Sequence, residues 1–498
     1  MDIIRNFPFI SIVFSLFSAV ICSLLPGKAA RWMTTAAESL LVFLSASTLY
    51  YTVKAGEAET YWMGHFPAPW GNEIRFGTLE ALMALVFALV LLFSVTGGAK
   101  FVRRDIFPQK VNLYYVLINL MGAALMALVY TNDIFTGYVF LEILTLTSGG
   151  ILMIREIGRT ALAATRYMIL NLLGSGLFLL SIILLYDITG HLLMVNMQEA
   201  IAAYAATGDY AMPLTVTTGL LCVGLGIKSG LFPFHTWMPD TYGFATPTSA
   251  SILSGLVSKG YIFLLIKIMY RVIGVHAAAL TTARAILFIF GLGGMIFGSV
   301  FALQQNNINR MTAYSSAAQI GYIYMGSGLG GAGFAAAIFH ILTHAVTKPL
   351  LFLSGAALME VSDDSPVFHD LQGAGHRNRP AGILFTVGAM SMIGIPFFAG
   401  FTAKLLFSTA ALGHHPVKTV GTLLVLAVST ILNTIYFIRT VIRIYTRKKN
   451  PGEEPHLAFR GQWGYLIGGT ALALMNISLG VAAQPIVRLI EEGLAMFA

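Results

Sequence analysis

Apolar runs of about 20 residues, the length that crosses a bilayer as a helix, follow one another along almost the whole chain. Fourteen spans are predicted, near 7–25, 32–53, 78–97, 111–131, 133–153, 163–186, 212–232, 247–272, 282–302, 312–329, 333–359, 381–408, 417–446 and 463–490. The loops are short apart from 54–77, 187–211, 360–380 and 447–462, none long enough to bury a core of its own. The pattern predicts an all-α polytopic membrane protein. Two spans are broken. In the stretch from Gly224 to Gly260, an apolar run carries Lys228 and stops at Pro233. A short polar turn then bears His235, Asp240 and Pro247 before a new run brings Lys259. In the twelfth span, Gly394 and Pro396 interrupt the run ahead of Lys404. Irregular backbone at membrane depth is tolerated only where protein or a water-filled cavity satisfies it, and discontinuous helices mark ion sites. Breaks five spans apart point to two inverted five-helix repeats with discontinuous helices 7 and 12. The expected organisation is an N-terminal three-helix region over 1–110, repeats over 111–280 and 281–446, and a loop with a last helix over 447–498.

Composition agrees with that class. Of 498 residues, 57% are hydrophobic and 10% charged, against roughly 25% charged in soluble domains. A net charge of +8 would suggest nucleic acid in a soluble protein. Here the cations sit in loops, so the partner they indicate is the lipid bilayer and not nucleic acid. Lys28, Arg31, Lys100, Arg103, Arg104, Lys110, Arg155, Arg159, Arg377, Arg379, Arg447, Lys448 and Lys449 follow odd-numbered spans. Loops after even-numbered spans hold only Lys54, Arg75 and Lys418, with Glu57, Glu59, Glu73, Glu199 and Asp209. The odd loops are therefore expected in the cytoplasm and both termini on the outer side of the cytoplasmic (inner) membrane. The first run follows a single Arg5 and no A-x-A-like cleavage site follows it, so it is read as a retained helix. Cys22 and Cys222 lie singly in apolar runs and suggest neither a disulfide nor a thiolate metal site. No phosphate loop, strand-borne GxGxxG or CxxC pair is found, and no cofactor, redox or hydrolytic centre is expected.

A charged side chain at mid-bilayer costs about 2.5–3.5 kcal/mol on insertion scales. Glu142, Lys228, Lys259, Lys348 and Lys404 must therefore pair, line water or lose their charge, and such groups are suited to moving protons. Glu142, in YVFLEILTLTSGG, is expected to pair with Lys228 and to set its proton affinity as the pair opens and closes. The plainer alternative is a structural ion-pair anchor. Lys259 lies far from its helix end and is expected to relay, whereas Lys267 and Arg271 are expected to snorkel to the outer interface. In FHILTHAVTKPLLFLSG, His340, His344 and Lys348 fall at i, i+4, i+8 on one helical face. That spacing suits zinc, but the neighbouring cation and the lack of a nearby carboxylate argue against a metal and for a proton wire. His340 alone also reads as a polar core residue. Pro349 is expected to kink the helix beyond Lys348. Lys404 reads as the last relay group or as an interfacial anchor. His235, His414 and His415 read as entry or exit residues, or as solvated ones.

These residues also carry a resemblance. The chain resembles the antiporter-like membrane subunits shared by respiratory complex I, membrane-bound hydrogenases and Mrp-type cation/proton antiporters, over roughly 60–445 with its core at 110–410. Four motifs carry it: YVFLEILTLTSGG, GIKSGLFPFHTWMPDTY, AAIFHILTHAVTKPLLFLSG and GIPFFAGFTAKLLF. The resemblance implies a glutamate–lysine pair at Glu142 and Lys228, a central relay at His344 and Lys348, and a terminal lysine at Lys404. Within the family the chain looks most like the Mrp D-type subunit, on YWMGHFPAPWG and the lysine of SILSGLVSKGY, and it is expected to lack a long lateral helix. It departs at Asn307 and Asn309, which replace charges ahead of AYSS while Arg310 is kept, and at Gly77 and Glu80, where Mrp-like relatives tend to carry an aspartate.

The expected function is translocation of protons, or exchange of protons for sodium, driven from outside this chain. Expected partners are homologous antiporter-like and small membrane subunits, with hydrogenase or other redox subunits. Two rivals stand beside it. A stand-alone transporter of a small solute predicts a broad polar pocket. A structural membrane anchor predicts static charge pairs, against which four lysines face the single Glu142.

Overall fold

The computed structural model describes residues 3–67, 70–275, 277–447 and 463–497. Helices α1 (Phe7–Leu24) and α2 (Gly27–Ala55) lead into an antiparallel hairpin, β1 (Glu59–Trp62) with β2 (Glu73–Phe76). Then come α3 (Thr78–Asp105), α4 (Val111–Tyr130), α5 (Ile134–Met153) and α6 (Gly158–Thr189). A shorter helix, α7 (Met194–Thr207), precedes α8 (Ala211–Ser229), α9 (Met238–Phe244), α10 (Pro247–Ile252) and α11 (Ser258–Ile268). The second half holds α12 (Ala278–Leu303), α13 (Ile308–Leu329), α14 (Ala332–Glu360) and the short α15 (Ala374–Arg377). It ends with α16 (Arg379–Ile393), α17 (Ala399–Leu412), α18 (Pro416–Tyr445), α19 (Trp463–Val481) and α20 (Ala483–Ala495). Among the described residues, twelve helical segments are long and apolar enough to cross a membrane. Of the expected spans outside those twelve, the tenth is α13 and the twelfth is the pair α16 and α17, each half too short alone.

The expected loops contain more structure than their polarity suggested. Residues 54–77 hold the hairpin, and 187–211 hold α7, which buries Met194, Met197 and Ile201 and leaves its other face open. The last expected span ends at Val481, after which α20 packs back on α3. Residues 448–462, with Lys448 and Lys449, lie outside the described residues.

Helix starts are written in short polar side chains. Asp133 accepts from the Thr136 amide (2.6 Å) to start α5, and Asn307 accepts from the Asn309 and Arg310 amides (2.9 and 3.1 Å) to start α13. Asn307 thus uses its amide oxygen as a cap, and Arg310 pairs with Asp240 across to α9 (3.1 Å). The two breaks are written in glycine. Gly230 (φ +79°) ends α8 and Gly394 (φ +92°) ends α16, a backbone region that costs other residues a Cβ clash. The segment after the first break is helical rather than an open polar turn. A 3₁₀ turn over Phe234–Trp237 carries His235, and α9 carries Asp240.

Two segments form the centre and are buried throughout their apolar stretch: residues 247–273 and α14. The first is not uniform, because π turns at Leu253–Val257 and Met269–Ile273 interrupt it. Such turns loosen the regular ladder and leave carbonyls available. Gly255 in the first π turn faces Pro349 of α14, where a Cβ would lie 2.7 Å from Pro349 Cγ and 3.1 Å from the Ala345 carbonyl. Pro349 lacks an N–H, so the Ala345 carbonyl has no partner within its own helix. Two irregular backbones therefore meet in the middle of the bundle.

Candidate functional site

At the first break, Lys228 occupies the last turn of α8 and is fully buried. Its ammonium lies 3.1 Å from Glu142 Oε1 and donates to Thr145 Oγ1 (2.8 Å), with the Tyr261 ring 5.6 Å away. Glu142 also accepts from Ser175 of α6. The expected glutamate–lysine pair is thus formed, but asymmetrically: the Lys228 side chain is closed off and that of Glu142 is 24% exposed on the flank of the chain. Thr145 Oγ1 and the Tyr261 hydroxyl lie 3.0 Å apart, linking the pair to α11.

Lys259 stands two residues before Tyr261, in the central segment. Its ammonium donates to Ser258 Oγ (3.0 Å) and to the Ser254 carbonyl inside the π turn. Ser254 Oγ meets Ser316 Oγ on α13 (2.9 Å), and Ser316 donates to the Thr312 carbonyl (3.1 Å). That same carbonyl accepts from Lys348 (3.1 Å), which also donates to Ser315 Oγ (2.8 Å). Lysines on two helices are therefore gathered on one polar edge of a third, around the Thr312 carbonyl and the Ser315 and Ser316 hydroxyls.

His344 lies one turn before Lys348 with both ring nitrogens buried and without a partner among the described residues. Its ring stacks on that of His340 (6.2 Å between centroids, 11° between planes). His340 Nε2 donates to Gln319 Oε1 (2.9 Å). The Tyr322 ring lies 5.5 Å from the His340 ring and 6.0 Å from the Lys404 ammonium. Lys404 donates to the Ile393 carbonyl at the end of α16 (2.6 Å) and to Thr430 Oγ1 of α18 (3.0 Å). Lys404 is held by a helix end and a hydroxyl, not by the membrane interface.

His235 is not brought into this line. It is buried beside the first break, stacked near Phe232 and Phe301, with Nδ1 unpartnered among the described residues. His415 caps α18 through Nδ1 (3.4 Å to the Val417 amide). His414, in the turn before it, has its pKa lowered by partial burial and then by Lys418 and Arg284.

Lys267 and Arg271 do not snorkel. Both are buried, because the segment that carries them is wrapped by other helices and no path to the interface remains. Lys267 donates to the Val129 carbonyl (2.6 Å) and lies 3.9 Å from buried Glu80, while Arg271 donates to Asn132. Glu80 also accepts from Arg75 (3.2 Å). Buried acids therefore include Glu80 and Glu38 beside Glu142, so an excess of lysines is not what argues against static pairing. The argument is local: Lys259, Lys348 and Lys404 meet carbonyls and hydroxyls, and no ion pair forms on them among the described residues.

Sequence reasoning passed over the groups that join the charges, namely Thr145, Tyr261, Ser254, Ser316, Tyr322 and Thr430. The AYSS motif was one available signal, since its two serines touch the Lys259 and Lys348 sides of the line.

The family model described as NADH:quinone oxidoreductase/Mrp antiporter, TM matches residues 131–431, the span that holds Glu142 through Lys404. The NADH-quinone oxidoreductase subunit N of Desulforudis audaxviator (strain MP104C) is 29% identical over 448 residues, covering 89% of this chain and 87% of that protein. Subunit N of Geobacter metallireducens is 32% identical over 304 residues, 59% of this chain and 61% of that one. Among solved structures, a chain of the archaeal membrane-bound sulfane sulfur reductase superposes with a TM-score of 0.88 at 22% identity, covering 100% of this chain and 98% of that one. A chain of the Mrp complex from Dietzia sp. DQ12-45-1b gives 0.87 at 22%, covering 99% and 97%. Those two likenesses establish a shared fold.

Proposed function

The chain belongs to the NADH:quinone oxidoreductase/Mrp antiporter transmembrane family, and from that premise we propose that it moves protons as one subunit of a multi-subunit respiratory or Mrp-type membrane complex. Glu142 and Lys228 form the gated pair. Lys259, His344 and Lys348 form the central relay, His340 and Tyr322 lead onward, and Lys404 is the exit. His235 serves as an entry residue beside the first break. The observation that carries this reading is two bonded series inside the bundle, Glu142–Lys228–Thr145–Tyr261 and Lys259–Ser254–Ser316 beside Lys348, followed by the His344, His340 and Tyr322 rings on the way to Lys404.

Each element has a physical role. Two unit charges about 4 Å apart attract by about 4 kcal/mol at an effective dielectric of 20. Withdrawing the Glu142 carboxylate therefore changes by a comparable amount how firmly Lys228 keeps its proton. Hydroxyls donate and accept at once, so Thr145 passes a hydrogen-bonded proton between Lys228 and Tyr261 without carrying net charge, while Ser254 and Ser316 line the approach between Lys259 and Lys348. Driving energy enters from partner subunits, through redox chemistry or an ion gradient, and sodium is the counter-ion if exchange occurs. A carboxylate edge facing lipid at mid-span is costly, which supports a homologous or smaller membrane subunit covering the α5 and α6 flank where Glu142 surfaces. Hydrogenase or other redox subunits complete the assembly, and both termini face outward in the cytoplasmic membrane.

Glu142→Gln in the intact complex, reconstituted in proteoliposomes, tests the reading. The amide keeps the shape and removes the charge that holds Lys228. Assembly should persist and coupled ion movement should disappear; full pumping with the glutamine refutes the pair mechanism.

A further inference from the structure

Beside Glu80, another buried acid stands outside this line. Glu38 sits on α2, about 16 Å from its start at 1.5 Å per residue, and has no solvent exposure. Neither of its carboxyl oxygens has a hydrogen-bond partner, and no ion pair forms on it among the described residues. It packs over Gly122 of α4, where a Cβ would lie 3.1 Å from Glu38 Oε1. An isolated carboxylate there, without a cation or donor, would cost several kcal/mol more than the neutral acid.

Such a group does nothing for the fold. Structural acids are held by donors, and a methionine or leucine in this apolar bundle would pack as well without a polar group to bury. Its surroundings are polar on one side only. One turn earlier on α2 is Thr34, which with Cys22 accepts from Asn119 Nδ2 (2.9 and 3.3 Å). Asn119 Oδ1 and the hydroxyl of Tyr115, one turn apart on α4, are buried and unpartnered among the described residues. Tyr115 lines a cavity of about 350 Å³ walled by Lys28, Arg31 and Arg103. Beyond Glu38 the column turns apolar at Leu41 and Met126 before Ser45 and Tyr130. The polar path therefore ends on the acid.

We propose that Glu38 is a proton-binding site at the closed end of a half-channel that runs from the Lys28–Arg31–Arg103 cavity past Tyr115 and Asn119. Water ordered on Asn119 Oδ1 and the Tyr115 hydroxyl supplies the step between cavity and carboxyl. The water passes one proton to a carboxyl oxygen as it takes another from an anionic buffer acid in the cavity, so one O–H bond breaks and one forms at the water, and the return reverses both transfers. The cations at the mouth repel sodium and gather buffering anions, which deliver and accept protons.

The site is separate from the Glu142 to Lys404 line, so its test is read on Glu38 itself. The assembled complex in membranes is treated with dicyclohexylcarbodiimide, an apolar reagent for buried carboxylic acids, and the label is located by peptide mass mapping. Glu38 should be labelled, equally in wild type and Glu142→Gln, and sodium should not protect it. In infrared spectra, Tyr115→Phe should slow deuteration of the Glu38 carboxyl about tenfold, equivalent to about 1.4 kcal/mol in the barrier. Glu38→Met should leave the melting temperature of the complex unchanged or raised and should remove both the label and the infrared band whose deuteration Tyr115→Phe slows. An unlabelled Glu38, protection by sodium, or unchanged deuteration in Tyr115→Phe would each overturn the proposal. So would Glu38→Met with a lower melting temperature, the signature of a purely structural residue.

Discussion

At the first break α8 ends on Lys228, Ser229 and left-handed Gly230; at the second α16 ends on Ile393 and left-handed Gly394. In both, a lysine ammonium sits at the C-terminal end of the first half-helix, where the aligned peptide dipoles favour a cation. The lysines reach that place by different routes. Lys228 belongs to the last turn itself, whereas Lys404 comes from the second half, α17, and donates back to the Ile393 carbonyl. Their company differs more. Lys228 has a carboxylate at 3.1 Å, and Lys404 has only a carbonyl and the Thr430 hydroxyl. A lysine with a movable counter-charge is controlled by that charge; one held by neutral acceptors gives up its proton without breaking an ion pair. On the function proposed above, the first break holds a proton and the second releases it.

Removing the cation at the holding end is the most damaging test of that contrast. Lys228→Met leaves Glu142 without its partner, a change worth about 3–5 kcal/mol for buried pairs, and proton movement should drop at least about a hundredfold. The contrast can also be erased from the other end. Thr430→Asp gives Lys404 the carboxylate it lacks, and a hydrogen bond to a charged group is worth about 1.5–3 kcal/mol. Proton movement should fall roughly ten- to a hundredfold with assembly intact; an unchanged rate would mean that release is not set at Lys404.

The glycines sharpen the comparison at smaller amplitude. Gly230→Ala and Gly394→Ala each force a side chain into the left-handed region, at about 1–3 kcal/mol, and both should lower the melting temperature. Only the second aims its Cβ at a lysine, 2.9 Å from Lys404 Cδ, whereas Gly230 aims at Met238. Transport per folded complex should therefore suffer in Gly394→Ala and be nearly spared in Gly230→Ala. The smallest effect belongs to Tyr261→Phe, which removes one hydroxyl link worth about 0.5–1.5 kcal/mol and should slow proton movement about two- to tenfold in a proteoliposome assay.

The parts legible in the sequence are those whose signal is local. Glu142, Lys228 and Lys404 announce themselves as charges in apolar runs, and Gly394 with Pro396 announces a break. His340, His344 and Lys348 share a face because helical spacing requires it, and the structure places that face at the centre. What could not be read is tertiary. Lys267 and Arg271 look like interfacial residues from their place near a span end, and only the helices packed around residues 247–273 close that route. The bridging serines and threonines resemble the many others that bond back to their own helix, as Ser148 does to Leu144 (2.6 Å). Glu38 carries the same signal as Glu142, an acid within an apolar span, yet no basic residue in the broken segments suggests a mate for it. The π turns leave no mark in hydropathy at all.

The burial of residues 247–273 has a consequence for how the protein is made. Lys259, far from the ends of that segment, would cost about 2.5–3.5 kcal/mol if the segment met lipid alone. Its neighbours come from both sides in chain order: Val129 and Asn132, which accept from Lys267 and Arg271, are synthesised earlier, whereas Ser316, which meets Ser254, and α14 arrive later. The segment is apolar enough to cross the bilayer by itself, but its polar groups meet all of their final neighbours only once α14 has been translated. The core of this chain therefore closes last, when Ala332–Glu360 joins segments that precede it.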